Sequence, residues 1–136
     1  MNRDDKMVIE VSLRILGDSL SPDDVTEALN IEPTRSHFKG DETLSSKGKK
    51  RVMKSGYWEL DAREKHDSMQ LIDHLNYLLK IIKACNQDIK SLAGCQSVEF
   101  SIILGTANDN TIEFALDSEI LKQIVEIGVD LHFTII

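Results

Sequence analysis

The side chains best suited to chemistry gather in one stretch. Between positions 35 and 54 the chain carries seven positive residues (Arg35, Lys39, Lys47, Lys49, Lys50, Arg51, Lys54) and two negative ones, Asp41 and Glu42, a net of +5. The remainder holds nine positives and 21 negatives, a net of −12, so one segment opposes the sign of a chain whose total is −7. Together with His37 inside it, Trp58 just after it and His74 further on, this gives a candidate set of Arg35, His37, Lys39, Asp41, Lys49, Lys50, Arg51, Trp58 and His74. Two chemistries suit such a set. The cations can dock an acidic protein partner or a small anionic ligand. Alternatively a fixed cation, titratable imidazoles, a carboxylate and an aromatic wall converge on one small-molecule site, binding or enzymatic. The structural alternative is a solvated basic loop, a core tryptophan, and a half-buried His74 bonded to backbone or carboxylate.

Other signals are negative. Gly48 sits among lysines in "SSKGKKR", but the stretch lacks the GxxxxGK[ST] spacing and the strand-to-helix setting of a phosphate cradle. His37, His66, His74 and His132 form no HExxH or HxH pair. Cys85 and Cys95 are ten residues apart, without CxxC, and read as inert thiols that form no disulfide in a cytosolic chain. No serine has a G-x-S-x-G setting. Neither catalytic residues, a metal nor a cofactor is expected. The net charge of −7 argues against general nucleic-acid binding. No apolar run approaches the roughly 20 residues that cross a bilayer, and "MNRDDK" is not a secretory leader, so the expected compartment is the cytoplasm.

These residues must be positioned by the surrounding elements. "MVIEVSLRI" sets Ile9, Val11, Leu13 and Ile15 on one face and Glu10, Ser12 and Arg14 on the other, the period of a half-buried strand. A marked helix start follows. Ser21 suits the N-cap and Pro22 the first helical position, Asp23 and Asp24 lie in the first turn, and Leu20 and Val25 have staple spacing. Pro33 stops this helix near Asn30. Residues 34–55 show no period and read as a long basic loop. "SGYWELD" is a strand with Trp58 and Leu60 on one face and Tyr57 and Glu59 on the other.

A long helix is expected over "DSMQLIDHLNYLLKIIKACNQDIKSLAG", with Leu71, Leu75, Leu78, Ile82, Cys85 and Ile89 on its apolar stripe and Gly94 at its end. "SVEFSIIL" and "TIEFAL" read as strands joined by a hairpin-like "GTANDN". Asp117 caps "SEILKQIVEI", Gly128 ends it, and "VDLHFTII" closes as a strand with Val129, Leu131, Phe133 and Ile135 inward. The 136 residues make one domain of α+β class, residues 1–136. It has a mixed or mostly antiparallel sheet of about five strands, three helices and two βαβ-like halves.

"LSPDDVTEALNIEPTRSHFKGD", "SGYWEL" and "LIDHLNYLLKII" also resemble, in order and spacing, the bacterial family called domain of unknown function 4279. The matching positions are Asp23, Thr26, Leu29, Pro33, Thr34, Gly40, Asp41, Gly56, Trp58 and His74. The resemblance implies a small bacterial cytoplasmic domain with no assigned reaction, so it transfers no catalytic residue. The stretch from Asp41 to Gly56 is longer and more basic than the family pattern.

Three functions compete. The first is a non-enzymatic binding protein, of the immunity type for example, docking an acidic partner through the basic loop. The second is a small-anion site or enzyme between the 35–54 loop, Trp58 and His74. The third is a structural domain that forms homo-oligomers by pairing "LHFTII" edge to edge.

Overall fold

The computed structural model describes residues 7–64, 68–85, 87–106 and 111–136. Among the described residues there are seven strands, β1 (Met7–Gly17), β2 (Arg35–His37), β3 (Glu42–Leu44), β4 (Lys50–Val52), β5 (Gly56–Asp61), β6 (Ser97–Thr106) and β7 (Asp130–Ile135), and three α-helices, α1 (Pro22–Leu29), α2 (Leu71–Lys83) and α3 (Ser118–Ile127). The main sheet has the order β2-β5-β1-β6-β7, all antiparallel except the β6–β7 pair.

The alternation of β1 decides how this sheet is layered. Ile9, Val11, Leu13 and Ile15 are buried, and each faces a buried partner on β6: Leu104, Ile102, Phe100 and Val98. Trp58 and Leu60 of β5 join the same side, opposite Ile15 and Leu13. All three helices press apolar residues onto this face: Val25 and Leu29 from α1, Leu71, Leu75, Leu78, Leu79 and Ile82 from α2, Ile120 and Ile124 from α3. The other face of the sheet therefore carries the polar half of each strand.

The path β1-α1-β2-β5-α2-β6 with order β2-β5-β1-β6 is the split βαβ arrangement, in which each crossover leaves one strand between its ends. α3 then returns the chain to a parallel strand beside β6, a direct βαβ unit. An α+β fold with a mixed or mostly antiparallel sheet of about five strands was expected, and a mixed five-stranded sheet is present. A separate two-stranded sheet, β3–β4, adds to it.

Several local expectations hold and some do not. Pro22 opens α1, Asn30 closes it in the left-handed region (φ 55°), and Leu20 and Val25 are both buried as a staple requires. Ser21 occupies the N-cap with extended backbone, yet its hydroxyl makes no capping bond. Asp117 does cap α3, its Oδ1 accepting from Ile120 N at 2.9 Å, and Gly128 ends that helix at φ 78°.

The long helix is shorter than its stripe suggested. α2 stops at Lys83, and Ile89 reaches the core from a separate 3-10 turn, Ile89–Ser91, capped by Asp88. An apolar stripe records which side chains are buried, not whether one helix carries them. "TIEFAL" is likewise no strand: the place beside β6 is taken by β7, and Ile112 and Leu116 pack against the core from a segment without regular secondary structure. The turn expected at 107–110 and the residue His66 lie outside the described residues.

Candidate functional site

The basic stretch folds into an arm. Arg35 faces Glu59 and His37 faces Tyr57, and the same register continues outward with Glu42 facing Val52 and Leu44 facing Lys50. β2–β3 and β4–β5 thus form one long hairpin, interrupted by a turn at Phe38–Asp41. Asp41 Oδ2 accepts from Phe38 N at 2.8 Å, Gly40 sits at φ 90°, and Gly40 N and Met53 N bond across the strands at 2.8 Å each. The tip is a three-residue connection with Gly48 at φ 76° and Ser45 N donating to Lys49 O at 2.8 Å, the pattern of a turn closed by a left-handed residue.

Every residue of β3 and β4 is exposed, which is why no alternation marks them in the sequence. Lys49, Lys50 and Arg51 all lie on this distal part, with Lys50 Nζ 3.2 Å from Glu42. That exposed pair contributes little to stability. Leu44 and Val52, 73% and 57% exposed, share the face of Lys50, since directly opposed residues and their i+2 neighbours point the same way.

Nearer the sheet, the polar face holds a cluster that the candidate set only partly contained. Glu59 is 3% exposed and lies between two arginines from the flanking strands. Arg35 Nη1 donates to Glu59 Oε2 at 2.6 Å, and Arg14 Nε stands 3.5 Å from Oε1. The Tyr57 hydroxyl donates to Oε1 as well, and the Tyr57 ring stacks on His37 with centroids 5.2 Å apart. Burial and the neighbouring Glu59 carboxylate push the Tyr57 phenol well above the usual tyrosine range. A row of charges then runs across all five strands, Arg35–Glu59–Arg14–Glu99–Asp130. Beside it Arg63 bridges Asp61, at 3.0 Å, and Glu10, at 2.8 Å. Burial alone would raise the Asp61 carboxyl, but its bonds to Arg63 outweigh that and hold it below the ordinary aspartate value.

Trp58 and His74 belong to the opposite side. Trp58 is fully buried, with its Nε1 donating to Thr26 Oγ1 of α1 at 3.0 Å. His74 is buried on α2, its Nε2 2.7 Å from the Ser68 carbonyl. It borders a shallow cleft of about 380 Å³ together with Glu10, Arg63 and Ser68. The sheet itself therefore separates Trp58 from Arg35 and His37, and Asp41 is engaged in its turn. Arg35 and His37 come together; Lys49, Lys50 and Arg51 come together further out; the nine do not form one pocket.

Glu59, Tyr57, Arg14, Asp61 and Arg63 were not singled out in the sequence. Their alternation with core residues was visible, but only cross-strand register shows that Glu59 is buried between two cations. Among the described residues no group of three or more His, Cys, Asp or Glu could hold a metal, and no helix is long and apolar enough to cross a membrane. Both cysteines are free, and burial pushes the Cys95 thiol up, toward the unreactive protonated form.

A split βαβ sheet with helices on one face, a charged opposite face and a projecting basic arm defines a small two-layer α+β domain. The chain belongs to the family DUF4279, domain of unknown function, whose model matches residues 6–136. No curated protein and no solved structure matches it. The positions carrying the resemblance have structural work in this fold. Thr26 holds Trp58, Thr34 Oγ1 accepts from Asp61 N at 2.8 Å, Gly40 and Asp41 make the arm's turn, and His74 ties down Ser68. At Gly56 a Cβ would sit 2.2 Å from the Leu20 carbonyl oxygen.

Proposed function

We propose that this chain is a non-enzymatic binding protein of the bacterial cytoplasm that docks an acidic protein partner through the β3–β4 arm. One observation carries the reading: Leu44 and Val52 are exposed on the same face as Lys50, at the end of an arm of net positive charge on an otherwise acidic chain. Protein interfaces combine a few apolar anchors with a charged rim, and an exposed Leu–Val pair on a two-stranded ribbon has no core of its own to join. The acidic body disfavours nucleic acid and leaves the arm as the attractive surface for a negative partner. The small-anion reading has less support, because Trp58 and His74 lie on the helix side of the sheet while Arg35 and His37 face the other way.

A photo-crosslinking side chain at Val52, expressed in the source cell, tests the proposal. A discrete protein adduct is expected, lost when Lys49, Lys50 and Arg51 are changed to Glu, and weakened as salt rises from about 0.1 to about 0.5 M. An adduct pattern indifferent to charge reversal, or no discrete adduct, sinks it.

A further inference from the structure

The far edge of the sheet has a phase that suits a second copy of the same chain. β7 is the last strand, and no described strand pairs with its outer side. Ile136 N donates to Leu104 O at 2.9 Å, which sets the phase of the β6–β7 ladder. The even-numbered residues of β7 turn their N–H and C=O toward β6, so Leu131, Phe133 and Ile135 turn theirs outward. The edge lacks the devices that normally keep such groups from pairing. β7 contains no Lys, Arg or Pro, and its one acid, Asp130, stands at its first position.

The side chains beside this edge are apolar and uncovered. Register puts Phe133 opposite Ile102 and Ile135 opposite Leu104, on the helix side of the sheet, yet Ile135 is 60% exposed and Phe133 is covered in part by its stack with Phe114. α3 adds to the same surface. Its Gln123 bonds Lys83 of α2, and at about 100° per residue Leu121 and Val125 lie on the opposite flank. α2 packs on β1, so the flank facing away from α2 overlooks the free edge of β7. Val125 is 76% exposed there, a large apolar residue on a helix whose other apolar positions are better covered.

We infer that β7 pairs with β7 of a second copy, antiparallel and centred on Phe133, to give a continuous ten-stranded sheet. A two-fold axis along the sheet normal keeps each face with its like, so opposed residues must have the same parity. Centred on Phe133, that pairing sets Phe133 against Phe133 and Leu131 against Ile135, and satisfies the outward groups of all three residues in each copy. Centring on Leu131 or Ile135 leaves part of them unpaired. On the polar face the same register sets His132 against Thr134 and Asp130 against Ile136, so no like-charged side chains meet. The two α3 helices come to lie on one face of the sheet and flank the seam, with Leu121 and Val125 facing their equivalents. β2, the opposite edge, carries the basic arm, so the dimer presents its two arms at its outer ends.

Sedimentation equilibrium of the full chain from about 1 to about 500 µM tests this. A reversible dimer is expected. Val125→Glu and Ile135→Lys, both at exposed positions, should each weaken it at least about tenfold without changing the circular dichroism spectrum, whereas Lys50→Glu should leave it unmoved. Register is read by oxidation in a Cys85→Ser, Cys95→Ser background: Phe133→Cys crosslinks to its equivalent and Ile135→Cys does not. A chain that stays monomeric throughout overturns the inference. So does a Val125→Glu, Ile135→Lys double variant that dimerises like the parent, or crosslinking by Ile135→Cys in place of Phe133→Cys.

Discussion

Glu59 shows how one buried charge organises its surroundings. A carboxylate at 3% exposure is held only because Arg35, Arg14 and the Tyr57 hydroxyl all point at it. Replacing it by Gln removes the charge that both arginines face and should lower stability by about 2–3 kcal/mol, read from urea denaturation. The same variant gives a spectroscopic check. Tyr57 titrates above the 10.0 of an unperturbed tyrosine, first through burial and then through Glu59. A group raised in the folded state contributes stability that is complete below its unfolded value and lost as pH climbs through the folded one. The parent should therefore lose stability in alkali beyond about pH 10. In Glu59→Gln the phenol should titrate lower, keeping the part of its shift that burial causes; an unchanged titration curve would remove Glu59 as a cause.

At the scale of elements, the fold depends on two kinds of glycine that composition cannot separate. A Cβ at Gly17 would meet the Gly94 carbonyl oxygen at 1.7 Å, where the end of β1 crosses the chain leading into β6. Gly48, at the arm's tip, has open space around it and needs only its left-handed backbone. Gly17→Ala should thus unfold the protein or cost more than about 3 kcal/mol, whereas Gly48→Ala should cost about 1 kcal/mol. Thermal melts of the two variants separate these outcomes, and equal midpoints would contradict the close approach. The arm also shows why its strands went unread. β1 alternates because one side is buried, but β3 and β4 are wet on both sides, so nothing in their order of residues betrays a ladder.

Across the whole molecule, charge is segregated rather than mixed: a body of net −12 carries an arm of net +5. Because the arm joins no core, its charge should be separable from stability. Changing Lys49, Lys50 and Arg51 to Glu takes two units per site and moves the net charge from −7 to −13. At about 0.15 M salt the unfolding free energy should move by no more than about 0.5 kcal/mol. A larger loss would mean that the arm packs on the body, and would weaken its assignment as a docking surface.

The sequence by itself determined the elements whose burial is one-sided. β1, β5 and β6 through their alternation, α1 through Pro22 and its two acids, and α3 through Asp117 and Gly128 were legible because local periodicity and capping are written in neighbouring residues. The family pattern was legible for the same reason, as an ordered set of turn, cap and packing positions. Only the tertiary structure decided the strand order, the register that buries Glu59 between Arg14 and Arg35, and the division of Trp58 and His74 from Arg35 and His37 by the sheet. It also ended α2 at Lys83 while leaving Ile89 in the core, and gave the place beside β6 to β7 instead of "TIEFAL". These outcomes depend on which distant segments meet, and a side chain's neighbours across a sheet are set by register between strands up to about a hundred residues apart in sequence, not by its neighbours along the chain.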